Sequence, residues 1–161
     1  MSIENLRNQW EKSGMRDFEE LEREILSWPG VSVHPHRFGG REFRLGAAEI
    51  GHIHPGGIVD IPFPVPVHDA LLAEGLAERH YFVPNSGWIT FHIRRDQDRN
   101  HALWLMRLSH LRYALKTATE PRRLLHEESQ KLCLTPHFQS LFEPFVPTNT
   151  SNRVAAEPVR A

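Results

Sequence analysis

Apolar residues recur along this chain at two spacings, and each spacing predicts a different kind of element. A spacing of three or four positions, which places residues on one face of a helix, runs over residues 3–10, 18–25 and 98–117. A short helix from Val67 to Leu76 and another from Arg122 to about Leu134 are also predicted. These stripes indicate helices that pack one apolar face against a core.

Apolar and polar residues alternate in the segments between these helices, as they do in strands with one buried face. The alternating segments are residues 31–33, 43–45, 48–54, 58–61, 81–83 and 88–93. Such crowding of short strands indicates an antiparallel meander. We therefore predict a single α+β domain, with an antiparallel sheet of about five to six strands, N-terminal helices, and C-terminal helices packed on one face.

The organisation along the chain follows from the same pattern. We expect an N-terminal helical extension over residues 1–16 and the α+β domain over residues 17–118. A C-terminal helical extension follows over residues 119–146. Residues 147–161 are rich in Thr, Asn, Ser, Ala and Pro and lack an apolar period, so we expect a disordered tail there.

Composition narrows the class of protein. The chain has 161 residues and a formal net charge of -1, so a whole-protein attraction to nucleic acid or anionic membranes is not expected. Cys133 is the single cysteine, which excludes an internal disulfide and a cysteine-rich zinc site. No signal-peptide pattern and no apolar stretch of membrane-spanning length is visible, so we expect a soluble, cytoplasmic protein without a membrane partner.

Histidine is the anomalous residue type, with eleven copies that include the pairs His34/His36 and His52/His54. Side chains two apart in a strand share a face, so His52 and His54 should lie side by side. The Gly56-Gly57 turn can then return Asp60 to their neighbourhood.

His80 is the best third partner in the sequence, because the strand that follows it should join the same sheet. Imidazole and carboxylate groups ligate divalent metals, so His52, His54, Asp60 and His80 form a candidate metal site.

Two further residues belong to the predicted ligand-binding set. The guanidinium of Arg44 can bind a carboxylate or a phosphate, and Trp88 shares its strand face with Thr90 and His92. The leading hypothesis is thus a domain that binds a small molecule or a divalent metal in a histidine-rich pocket, whether or not it is an enzyme. No catalytic residue and no cofactor other than this metal is predicted.

Two alternatives stay open at this point. A nucleic-acid-binding module would use Arg37, Arg41 and Arg44, which flank the first predicted hairpin. A protein-interaction domain would instead present the strand face that carries Trp88. The oligomeric state, the substrate and the reaction do not follow from the sequence.

Four sequence motifs resemble the luciferase family domain, a group of small bacterial and fungal proteins. They are residues 40–46 (GREFRLG), 49–54 (EIGHIH), 60–64 (DIPFP) and 80–91 (HYFVPNSGWITF), within a resemblance that spans about residues 17–116. The family name implies light emission, but no flavin- or luciferin-binding motif accompanies these motifs here. The second half of the chain is also similar, more distantly, to MmcQ/YjbR-type double-wing proteins. In those proteins a His…Trp-Ile-Thr strand precedes a helix that carries a Ser and a Tyr, and Ser109 and Tyr113 are the corresponding residues here. That resemblance implies DNA binding.

Overall fold

A computed structural model of the protein describes residues 18–148 and shows an α+β fold built on one antiparallel sheet. The first described element is a helix over residues 18–26, here named α1. The strands are β1 (Val31–Pro35), β2 (Arg41–Leu45), β3 (Ala48–His54), β4 (Ile58–Pro62), β5 (Glu78–Arg79) and β6 (Trp88–His92). The other helices are α2 (Val65–Ala73), α3 (Asp98–Thr117), α4 (Pro121–Lys131) and α5 (Pro136–Phe142).

The sheet has six strands in the order β1-β2-β3-β4-β6-β5, and every neighbouring pair is antiparallel. The first four strands follow one another as a meander, and α2 separates β4 from the last two strands. This arrangement confirms the predicted fold class and the predicted antiparallel sheet.

The helices bury one face of the sheet. Helix α3 lies against β2, β3 and β4, α4 packs on α3, and α5 contacts both α2 and α4. The side chains of Phe43, Ile53, Val59, Ile61 and Ile89 are fully buried in one apolar core. That core also contains Leu125 of α4 and Phe138 and Phe142 of α5, so the predicted C-terminal extension packs on the same core as the sheet.

Several predicted boundaries are corrected by the structure. The predicted strand over residues 81–83 is a loop, in which Tyr81 and Phe82 are 86% and 82% exposed. The segment alternates in sequence but finds no strand partner, and only Glu78 and Arg79 pair with β6. Helix α2 begins at Val65 rather than Val67, since the Pro66 ring suits the first turn of a helix.

Strands β1 and β2 form the first predicted hairpin, and the turn between them spans residues 36–40. It contains a 3-10 segment at Arg37–Gly39, in which Phe38 takes the left-handed conformation with φ 56°.

Among the described residues, no helix is long and apolar enough to cross a bilayer. The predicted helix over residues 3–10 and nearly all of the predicted tail lie outside the described residues.

Gly51 fixes how closely α3 approaches the sheet beside the polar face described below. Its φ is +150°, and a Cβ there would lie 2.7 Å from Met106 Sδ of α3 and 3.0 Å from the Asp60 carbonyl oxygen. Residues with a Cβ do not fit such a position without a shift of helix or strand.

We expect Gly51→Ala to lower the free energy of unfolding by about 1–3 kcal/mol, because an added methyl overpacks the contact between sheet and helix. Urea denaturation followed by circular dichroism measures this change. Gly46→Ala is the matched control, since Gly46 also has positive φ but has no atom within 4 Å of the Cβ position. An equal loss in both variants would show that backbone conformation, and not the contact with Met106, sets the cost.

Candidate functional site

A row of polar residues crosses the whole sheet, one from each strand. The strand register places these residues directly opposite one another: His34, Glu42, His52, Asp60, Thr90 and Glu78. Residues opposite each other on neighbouring strands have Cβ atoms about 4.5–5.5 Å apart, so these side chains are neighbours on one face of the sheet. The four central members are between 5% and 9% exposed although they are polar. A buried polar row of this kind needs internal partners for its charges.

Asp60 lies at the centre of the row. Its Oδ2 atom is 3.4 Å from His52 Nε2, 3.6 Å from His54 Nε2 and 3.7 Å from His80 Nε2. Its Oδ1 atom accepts a 2.5 Å hydrogen bond from Thr90 Oγ1. The structure therefore brings His52, His54, His80 and Asp60 together around one carboxylate oxygen.

His36, which follows β1, adds another imidazole to this group. Its ring stacks on the His52 ring, with centroids 3.9 Å apart and planes 18° apart. One possible ligand atom from each of His36, His52 and His54 lies within 4.8 Å of the other two. These three histidines form the cluster with metal-ligand spacing among the described residues.

Each ring of this cluster is held through a hydrogen bond. His36 Nδ1 donates to Glu42 Oε2 at 3.1 Å, and His52 Nδ1 donates to Glu49 Oε1 at 2.7 Å. The His54 ring hydrogen-bonds the backbone of Arg37. Carboxylates and backbone carbonyls are the groups that orient metal-binding histidines in proteins.

Trp88 and His80 form another side of the site. The Trp88 ring lies 5.3 Å from the His52 ring and 6.1 Å from the His80 ring, centroid to centroid. His80 Nδ1 accepts a 3.1 Å hydrogen bond from the backbone N–H of Phe82. Trp88 is half-buried, so its indole is a wall of the site rather than a free surface.

The electrostatics of the site favour an imidazolium at His52. Burial opposes a charged ring, but the carboxylates of Asp60 and Glu49 outweigh burial and raise the pKa of His52 to about 9. Burial likewise opposes ionisation of Asp60, but hydrogen bonds from His52 and Thr90 lower its pKa below the ordinary value. Asp60 is therefore an anion at neutral pH, and His52 is a cation.

His54 and Glu42 have shifts with other causes. Burial lowers the pKa of His54, and the neighbouring charge on His52 lowers it further. Burial opposes the charge on Glu42, but hydrogen bonds from Arg44 and His36 lower its pKa. The site thus combines a neutral imidazole at His54 with an ionised carboxylate at Glu42.

The three arginines of the first hairpin have separate environments. Arg44 Nε contacts Glu42 Oε1 at 2.5 Å, so it supports the carboxylate that holds His36. Arg41 binds Glu22 of α1 through Nε at 3.0 Å and Nη2 at 2.8 Å. Two of the three guanidiniums are thus paired with carboxylates, while Arg37 lies in the exposed turn.

Sequence reasoning missed His36, Glu42 and Glu49. The pair His34/His36 was visible, but His34 points to Ser32, with His34 Nε2 and Ser32 Oγ 2.9 Å apart, whereas only His36 enters the site. The hairpin sequence did not reveal Glu42, because the five-residue connection over residues 36–40, and not a tight turn at Gly39-Gly40, sets the register that places Glu42 opposite His34. No spacing rule pairs Glu49 with His52, because β3 is irregular between these two residues. Its register with β2 shifts there, between Phe43 and Arg44.

We expect His52 of the metal-free protein to titrate near pH 9, and Glu49→Gln to lower its pKa because one of the two raising carboxylates is lost. Imidazole ¹⁵N chemical shifts measured against pH give both values. A folded pKa above the unfolded one means that His52 contributes stability below about pH 6.5 that is lost as pH rises through about 9. Glu127→Gln, on the exposed side of α4, should leave the titration unchanged; an unshifted His52 in Glu49→Gln would contradict this account.

The comparison with protein families matches the part of the chain that carries most of this site. A family model described as a Luciferase domain matches residues 47–109. The matched segment runs from the start of β3 into α3 and contains His52, His54, Asp60, His80 and Trp88, whereas His36 and Glu42 precede it. Searches of curated proteins and of solved structures return no match. The similarity to double-wing proteins stays a prediction, and the resemblance to the Luciferase domain is confirmed over residues 47–109.

Proposed function

We propose that this protein binds a divalent transition metal through His36, His52 and His54, with Asp60 as an oxygen ligand, and that a small molecule binds at the metal. One observation carries the proposal: three imidazoles with ligand spacing are each held by a hydrogen bond to a carboxylate or to the backbone. Burial alone requires hydrogen-bond partners for these rings, but it does not require three rings to present possible ligand atoms within 4.8 Å of one another. The anchoring instead supports a site whose rings are oriented before the metal arrives.

The nitrogen left over by each anchor is the one that would bind. Where Nδ1 of His36 and His52 donates to a carboxylate, the lone pair of the neutral ring is on Nε2. His52 Nε2 and His54 Nε2 both lie within 3.6 Å of Asp60 Oδ2. Ligand atoms of a tetrahedral zinc site, with bonds of about 2.0–2.1 Å, are separated by roughly 3.3 Å. The spacing around Asp60 is therefore close to the spacing that a bound ion would impose.

The mixed donor set indicates the kind of metal. Imidazole suits zinc, copper, iron and nickel, and a carboxylate beside imidazoles extends the range to manganese. Three histidines and one carboxylate leave a position free for an exogenous ligand in a metal that accepts five or six ligands. The proposed binding of a small molecule rests on that free coordination position and on the Trp88 ring beside it.

Titration calorimetry with zinc, manganese and iron(II) tests the metal site. We expect one ion per chain in the wild type and an affinity at least about 100-fold weaker in His36→Ala and His52→Ala, because losing a ligand costs more than losing an outer hydrogen bond. His126→Ala is the matched control, since the His126 side chain is exposed on α4 and contacts Gln130 at 3.1 Å. Circular dichroism must show that each variant is folded.

The same titration has a defined pH dependence. A metal ligand at His52 must lose the proton that its pKa of about 9 retains at neutral pH, so affinity should fall steadily as pH is lowered below 9. No heat with any of the three metals at pH 8 would reject the proposed metal site. Equal affinities in the wild type and in His52→Ala would reject the assigned ligands.

A further inference from the structure

His80 differs from the other imidazoles around Asp60 in the direction of its anchoring hydrogen bond. A backbone N–H can only donate, so His80 Nδ1 accepts from Phe82 N at 3.1 Å and carries no hydrogen. The hydrogen of the neutral His80 ring is therefore on Nε2. A nitrogen that carries a hydrogen has no lone pair for a metal, so this anchor sets His80 apart from His36 and His52.

The Nε2–H group of His80 nevertheless faces the site. Nε2 lies 3.7 Å from Asp60 Oδ2, which is longer than a hydrogen bond, and the side chain is only 14% exposed. The Trp88 ring flanks both His80 and His52. His80 thus presents a donor that is shielded from bulk water and directed at the oxygen atom beside which the metal would lie.

We propose that His80 donates a hydrogen bond from Nε2 to a carboxylate ligand bound at the metal, and that it does not itself coordinate the ion. This inference rests on the proposed metal site and assigns the class of its exogenous ligand. A metal-bound oxygen next to Asp60 Oδ2 comes within reach of His80 Nε2. A donor at this place favours an oxygen anion over a neutral ligand, because hydrogen bonds to ionised acceptors are about twice as strong as neutral ones.

A carboxylate also suits the charges that surround the site. The metal adds two positive charges next to the negative groups Asp60, Glu42 and Glu49. Arg44 already pairs with Glu42. Arg37 lies exposed in the turn between β1 and β2, and Arg79 lies exposed at the end of β5, next to His80. An incoming anion therefore meets a metal ion and a hydrogen-bond donor rather than an unpaired carboxylate.

Cobalt(II) provides the probe, because its visible spectrum reports ligand exchange at the ion. The cobalt-loaded wild type is titrated with acetate, and the same titration is made with three variants. In His80→Phe, which keeps a ring but has no donor, we expect acetate affinity to fall at least about 10-fold while cobalt affinity stays within about threefold. His80→Gln supplies an amide N–H and should recover part of the loss. Tyr81→Phe, at an 86% exposed neighbour, should behave like the wild type.

The outcomes separate the two proposals. If the wild type binds no cobalt, the metal site and this inference both fail. If cobalt binds but acetate leaves the spectrum unchanged, the metal site stands and the carboxylate assignment fails. A fall in cobalt affinity in His80→Phe as large as that in His52→Ala would show that His80 is a ligand. Unchanged acetate affinity in His80→Phe would show that His80 donates no hydrogen bond to the bound acetate.

Discussion

The buried carboxylate of Asp60 is the constraint on which the polar face of the sheet depends. A carboxylate that is 5% exposed is costly unless hydrogen bonds and opposite charges compensate for lost water. Thr90 supplies one hydrogen bond, and the imidazoles of His52, His54 and His80 surround the other oxygen. Removing one partner would leave the charge partly uncompensated, so these side chains constrain one another. In a metal-bound state, a cation would take over part of that compensation.

The same sheet has two faces with different chemistry, and each depends on the other. Ile53, Val59 and Ile61 point into the core against the helices, while their strand neighbours His52, His54 and Asp60 point away from it. Gly51 lets α3 approach closely behind His52. The apolar packing thereby fixes the backbone positions from which the polar side chains project, and it leaves the histidines little freedom to separate.

The hydrogen bonds that hold the rings decide what each imidazole can do. In the neutral rings, the carboxylates that accept from His36 and His52 leave the lone pair on Nε2, whereas the backbone N–H that donates to His80 leaves a hydrogen on Nε2. Similar rings placed around a similar centre are therefore chemically distinct. Arg44 extends this control one step outward, because it holds the carboxylate that holds His36.

The sequence by itself determined the elements whose pattern is local. The spacing of apolar residues located α3 at residues 98–117, and strand alternation placed His52 and His54 on one face. The Gly56-Gly57 turn predicted the return of Asp60, because a short antiparallel connection leaves few registers.

Only the tertiary structure decided the rest of the site. His36 lies in a turn without periodicity, Glu42 and His52 meet through a strand register, and residues 81–83 alternate without joining the sheet. Each of these outcomes depends on contacts between segments distant in sequence. A local pattern specifies which face a side chain takes, but the pairing of strands and the path of a turn specify which side chains come together.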